Sequence, residues 1–196
     1  MAKSLKNSCR KFVHGLVFLT AFAYAATPSA SDDFTERRIT AGAKIFRALL
    51  AADVDIAHKT DSDGKLMLGL VYIDDTGNAQ VAAATLMHRD DPRIREMQIR
   101  IQTLPLAECT AEVNGPLAGV FVTQRLNAEQ LQILTAFANA RHLVVFSPFQ
   151  GDVERGVQSG IAVEARVRPY LNINALRAAR VRLKTFFFKV AKVYEG

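Results

Sequence analysis

FQGDVERGVQSGIAVEARVRPYLNINALRAARVRLKTFFFKV, running from Phe149 to Val190, is the stretch that decides the fold. Gly151, Gly156 and Gly160 punctuate its start, and because glycine tolerates positive φ at no steric cost the spacing predicts a turn. Ile161, Val163 and Val167 then alternate with Ala162, Glu164 and Arg166 or Arg168, the period-2 pattern of a strand turning into its neighbour. Pro169 cannot donate to a ladder, which predicts a bulge or an edge position. Asn172 or Asn174 is placed to cap the helix that follows.

Upstream, the chain reads as the sheet and helices on which this segment docks. Asp33 to Glu36 has the form of a capping box, and Ile39, Ala43, Phe46 and Leu50 recur at helical spacing behind it. Asp61 to Gly64 is a turn, Leu66 to Ile73 a strand buried on both faces, and Ala79 to Met87 the next helix. Met97, Ile99 and Ile101 alternate with Gln98, Arg100 and Gln102, as a strand with one wet face does. A short buried strand at Gly119 to Val122 leads to a helix opened by Asn127 with Gln130, its stripe being Leu131, Leu134 and Phe137. Leu143 to Phe146 is another buried strand, stopped by Pro148. Strands alternating with helices imply right-handed crossovers. The expectation is an α/β fold, a three-layer α/β/α sandwich with a mostly parallel sheet, in one domain over residues 26–196.

Residues 1–25 read as a cleavable signal peptide. Lys3, Lys6, Arg10 and Lys11 precede an apolar run from Phe12 to Ala23, and Ala23-Tyr24-Ala25 places small residues at the two positions a signal peptidase reads. The run is shorter than the roughly 20 residues a membrane span requires. Export to the periplasm follows. Four of the 25 basic residues leave with this segment, so 21 face 19 acidic ones and the formal net charge falls from +6 to +2. The basic balance of the whole chain is therefore no sign of nucleic-acid binding. Cys9 leaves as well, and Cys109 alone cannot staple the mature domain; it reads as a small buried hydrophobe.

No catalytic or cofactor motif emerges. The glycines lack the Gly-Lys-Ser/Thr of a phosphate-cradling loop, and Ser159 sits between residues that do not form a nucleophile elbow. His58, His88 and His142 are scattered without metal-ligand spacing, and the Asp-rich turns around Asp63 and Asp75 lack the ligand pattern of a calcium loop. The reading is a non-enzyme with no cofactor and no metal.

The cationic C-terminal segment stands out. Arg166, Arg168, Arg177, Arg180, Arg182, Lys184, Lys189 and Lys192 face only Glu164 within their span, a balance that suits an acidic partner, an anionic membrane surface or simply a solvated face. A helical projection of Arg182 to Tyr194 puts Leu183, Phe186, Phe187, Val190, Val193 and Tyr194 on one docking face and leaves Phe188 among Lys184, Thr185, Lys189 and Lys192. The expectation is that Phe188, with Lys184 and Lys192 and with Arg166 and Arg168 nearby, anchors a partner or a second copy of the chain.

Gly160, Ile161, Val163, Arg166, Arg168, Asn172, Ala175, Ala179, Leu183, Phe187, Phe188, Val190 and Ala191 together resemble the C-terminal signature of the YfiR/HmsC family, the DUF4154 domain. The resemblance is tight over Gly151 to Val193 and loose elsewhere; Arg180 stands where the family usually has glycine. It implies a periplasmic regulator that binds the periplasmic sensor region of an inner-membrane diguanylate cyclase and represses it, controlling cyclic-di-GMP, biofilm or exopolysaccharide output. The alternative is a periplasmic small-molecule binding or sensory module using the crevice at the carboxyl ends of the sheet. A hydrolase is disfavoured, because no nucleophile and base can be paired.

Overall fold

The computed structural model of the chain describes residues 30–87, 92–109 and 115–196; the expected signal peptide and the turn at His88 lie outside the described residues. α1 (Ala30–Ala52) buries Ile39, Ala43, Phe46 and Leu50, the stripe read from the sequence. It begins upstream of Asp33, which therefore does not cap it; that carboxylate pairs instead with Arg37 one turn on, at 2.9 Å.

β1 (Leu66–Tyr72), α2 (Gly77–Leu86), β2 (Arg93–Ile94), β3 (Met97–Pro105), β4 (Gly119–Val122), α3 (Ala128–Ala140), β5 (Val144–Ser147), β6 (Ser159–Val163) and β7 (Val167–Asn172) follow. Together with a last strand, β8 (Lys192–Tyr194), they form an eight-stranded sheet in the order β2-β3-β1-β4-β5-β6-β7-β8. Only the β2–β3 and β6–β7 pairs are antiparallel. α3 opens on the expected capping box, with Gln130 N–H donating to the Asn127 side chain and Gln130 accepting the Asn127 N–H. α1 and α2 pack on one another over one face. The chain reverses direction across the sheet after β3, so a right-handed crossover carries α3 onto the opposite face. The α/β expectation, with its mostly parallel sheet flanked by helices, holds.

The core is organised around three rings. Phe46 of α1 meets Phe121 of β4 and Phe146 of β5 at 5.6 and 5.8 Å between centroids, and Phe121 stacks on Phe146 at 5.5 Å. All three are fully buried. Cys109 lies at the edge of the core, unpaired, and burial pushes its thiol up to about 12, so at neutral pH it is a small hydrophobe.

At the C-terminal segment the structure agrees with part of the reading and corrects the rest. Gly151 and Gly156 do adopt positive φ, 91° and 105°. Gly160 does not; it lies within β6, where a Cβ would fall 2.5 Å from the Ser147 carbonyl oxygen. Pro169 makes no bulge, but it does sit at an edge position, a locally open stretch of an otherwise interior strand. The Glu164 N–H donates to Arg166 O and the Asn172 N–H to Gln158 O, so by alternation Ile161–Pro169 is a non-hydrogen-bonded pair, with the proline nitrogen facing away from β6. On that other side β8 pairs only from Tyr170 onward, so no ladder bond is lost.

Asn172 rather than Asn174 caps α4 (Ile173–Ala178), accepting the Ala175 N–H at 2.9 Å. Arg180 then takes φ 53°, and Val181 N–H closes on Leu176 O, which is the left-handed helix stop that glycine normally fills. Arg180 is exposed and makes no ion pair among the described residues, so Arg180→Gly is expected to raise stability by ~0.5–1 kcal/mol by removing the Cβ penalty. Urea unfolding of the two proteins measures it; an unchanged or lower midpoint contradicts it.

The projected helix from Arg182 to Tyr194 is not one helix. Leu183 bridges to Asp53, with the Val54 N–H on Arg182 O and the Lys184 N–H on Ala52 O, which holds the chain extended beside the end of α1. α5 spans only Thr185–Val190, and β8 adds to the open edge of β7. Of the projected docking face only Phe187 is buried, while Phe186 and Val190 are exposed. Phe188, placed on the outer face by the projection, is half-buried against the core.

Candidate functional site

Five parallel strands run in the order β3-β1-β4-β5-β6 and end on one edge of the sheet. The chain leaves β1 for β3 on one side and returns to β4 on the other, so β1 and β4 flank the point where strand order reverses, the place where α/β sheets open a crevice. A cleft of about 640 Å³ lies there. α1 closes it from above with Phe34 and Arg38, and the segments leaving β1, β4 and β5 supply Asp74, Arg125 and Phe149.

Arg38 and Arg125 dominate the cleft. The Arg38 guanidinium donates to the Pro148 carbonyl at 3.0 Å and lies over the Phe34 ring at 5.2 Å. Arg125 donates to Gln150 O at 3.3 Å and lies over the Phe149 ring at 5.5 Å. Burial, and behind it the neighbouring charge of Arg125, holds Arg38 below the usual arginine range. Neither arginine forms an ion pair with a carboxylate among the described residues. Two like charges are thus held within reach of one another, each fixed by a carbonyl and an aromatic face and each with donors to spare.

The frame beneath them is rigid. Ser147, the last residue of β5, donates its hydroxyl to the buried Asp152 carboxylate at 2.5 Å and accepts the Phe149 N–H at 3.2 Å. Asp152 is also ion-paired to Arg155, and Asn172 donates to Val153 O at 2.8 Å. The turn carrying Phe149 and Gln150 is therefore pinned at both ends. Across the cleft, Gln124 accepts the Ile73 N–H and donates to Asp74 at 2.7 Å, tying the β1 exit to the β4 exit. Gly42 lets α1 lie close over this frame, since a Cβ there would meet Pro148 at 3.0 Å.

A smaller hollow continues from the cleft along β6 and β7, sharing Arg38, Phe149 and Gln150 with it. Burial first, then the nearby Glu154 carboxylate, pushes the Tyr170 phenol up there. Glu164 is bonded by Lys192 at 3.1 Å and Arg168 at 2.7 Å, which holds its carboxyl below the usual range.

The residues singled out from the sequence do not form one site. Arg168 and Lys192 meet around Glu164, with Lys192 over the Tyr170 ring at 5.2 Å. Phe188 lines a separate groove with Leu176, Val181 and Val193, and the pleat of β8 sets Val193 on the face opposite Lys192. Lys184 is exposed at the start of α5, and Arg166 is exposed at the hairpin tip. Among the described residues no group of three His, Cys, Asp or Glu side chains is placed to hold a metal ion. Asp61 accepts the N–H groups of Asp63 and Lys65, and Arg100 lies 3.1 Å from Asp63, a closed turn. Ser159 is buried and spends its hydroxyl on Val145 O. No described helix is long and apolar enough to cross a membrane.

No protein-family model matches the chain, and no curated protein matches it in sequence. Among solved structures it is similar to the ligand-free, open form of a substrate-binding protein with adhesive properties from Clostridium difficile. That match has TM-score 0.49 and 12% identity, covering 79% of this chain and 58% of the other. It is also similar to an ABC domain in complex with L-Trp from Streptococcus pneumonia, with TM-score 0.47 and 8% identity, covering 80% and 62%. The chain thus spans about three fifths of each, and the likeness is one of fold.

Proposed function

We propose that this protein is a small-molecule binding module whose ligand presents a carboxylate or phosphate group to Arg38 and Arg125. The observation that carries this reading is the pair of guanidiniums, without a carboxylate partner among the described residues, at the strand-order reversal of the sheet. Holding two like charges together is unfavourable until an anion sits between them, and oriented guanidinium donors match the geometry of a planar or tetrahedral oxyanion. Phe149 and Phe34 supply the apolar surface that binding sites usually combine with a few placed polar groups.

Calorimetric titration with inorganic phosphate and with citrate tests the reading. Each guanidinium is expected to contribute roughly 1.5–3 kcal/mol, so Arg125→Gln or Arg38→Ala should weaken binding about 10- to 100-fold. Arg100→Ala, whose guanidinium is engaged with Asp61 and Asp63, should leave it unchanged. Equal weakening by all three substitutions would reduce the effect to general surface charge.

The module is proposed to act in the periplasm, on the strength of the basic, apolar and small-residue pattern of residues 1–25. Repression of an inner-membrane diguanylate cyclase is the second reading, supported by the YfiR/HmsC-like residues of the last third of the chain. Several of those residues, Gly160, Asn172 and Phe187 among them, are buried ones that build the strand, the cap and the core, so they speak for architecture before they speak for a partner. Pull-down from membranes with the mature protein as bait tests it, and recovery of no membrane-bound cyclase counts against it.

A further inference from the structure

The cleft leaves one conspicuous surface unused. Ten large hydrophobic side chains are exposed among the described residues, and five of them, Val163, Val167, Phe186, Val190 and Val193, fall in the last 34 residues of the chain. Phe186 and Val190 stand one turn apart, so they share a face of α5, and they are 56% and 54% exposed. Val163 and Val167 are partners across the β6–β7 hairpin and point to one side. Val193 pairs with Leu171, four residues along β7 from Val167, so the pleat puts it on that same side. Phe188 of α5 and Val193 line one groove, which sets α5 over this face as well.

Two lysines flank the exposed side chains of α5, Lys184 just before it and Lys189 within it. Arg168 and Lys192, which share Glu164, lie on the opposite side of the sheet, and Arg182 is held by Asp55 at 2.9 Å. Arg166, Arg177, Arg180, Lys184 and Lys189 make no ion pair among the described residues. The apolar groups protrude from a hairpin tip and a short helix with lysines beside them. An anchor for a protein partner more often sits in a walled pocket. Protruding apolar side chains among long cationic ones, whose stems can lie in the interface while their heads reach outward, are the pattern of interfacial lipid binding.

We propose that the face formed by the β6–β7 hairpin tip and α5 docks on an anionic lipid surface. Phe186 and Val190 enter the headgroup boundary, and Lys184 and Lys189 meet lipid phosphates. The inference does not rest on the anion cleft, whose lining includes none of Lys184, Phe186, Lys189 and Val190.

Co-sedimentation of the processed protein with lipid vesicles tests it. Vesicles with roughly a quarter phosphatidylglycerol in phosphatidylcholine should bind it about tenfold or more tightly than pure phosphatidylcholine at about 0.05 M salt. Most of that preference should vanish at about 0.5 M salt. Lys184→Glu with Lys189→Glu should bring binding to the level of neutral vesicles. Phe186→Ser with Val190→Ser should weaken it several-fold while circular dichroism melts stay near those of the parent, because these side chains are outside the core. Equal binding to both vesicle types, no binding to either, or insensitivity to both double substitutions overturns the proposal. So does salt-sensitive binding to a soluble acidic protein without vesicle binding, which would assign the face to a protein partner.

Discussion

Gly160→Ala is expected to lower the unfolding free energy by ~3 kcal/mol, a large loss for one added methyl group. The new Cβ would stand 2.5 Å from the Ser147 carbonyl oxygen and 2.8 Å from a Val153 methyl. The first neighbour is backbone and has no rotamer to move into, so β5 and β6 must separate. That strand pair also carries the turn from Phe149 to Gly156, through the Ser147 hydroxyl and Asp152. The substitution should therefore disturb the cleft as well as the stability. Denaturant unfolding followed by circular dichroism measures the first effect, and a midpoint within error of the parent would show that the strands are not in such close contact.

Phe46→Ala is expected to cost ~3–5 kcal/mol, the range for removing a fully buried phenylalanine. Phe46 is the only member of the aromatic trio that comes from α1; Phe121 and Phe146 come from the sheet. Its loss leaves a cavity between the two layers and frees α1 to shift. At this chain length ~4 kcal/mol corresponds to roughly 8–16 °C in melting temperature. Scanning calorimetry is the measurement, and a fall of less than a few degrees would show that the core closes over the gap. Phe46→Leu, which keeps most of the volume, should recover a large part of the loss.

Where a residue pattern is itself the structural determinant, the sequence was readable. β1 and β4 are unbroken apolar runs because both faces are covered, and the Asn127–Gln130 box names its own helix start. β2 and β8 have two and three residues, too few for any period to show, and β8 exists only because β7 offers it an open edge. The final helix was overdrawn for the same reason. Leu183 to Tyr194 has helical spacing, but Leu183 is held by Asp53 and Lys192 to Tyr194 by β7, contacts that local periodicity does not encode.

The candidate site was legible only in outline. A crevice at the carboxyl ends follows from alternating strands and helices, yet its arginines do not. Arg38 sits beside Arg37 on what reads as a solvated helix face, and Arg125 is a single charge after a buried strand. Their meeting depends on β4 lying next to β1 and on α1 crossing the end of β5, which is a fact of strand order. The signal that could have found them is modest: Arg125 follows a short buried strand, at the exit where α/β folds place ligand groups.

The arginine Nε–H resonances of the protein, followed by NMR during titration with inorganic phosphate, test the anion cleft most directly. The account predicts that Arg38 and Arg125 shift together along one saturable curve, while Arg37 and Arg100, each engaged with a carboxylate, stay in place. Shifts spread without saturation over the exposed arginines, with Arg38 and Arg125 no different from the rest, would contradict it.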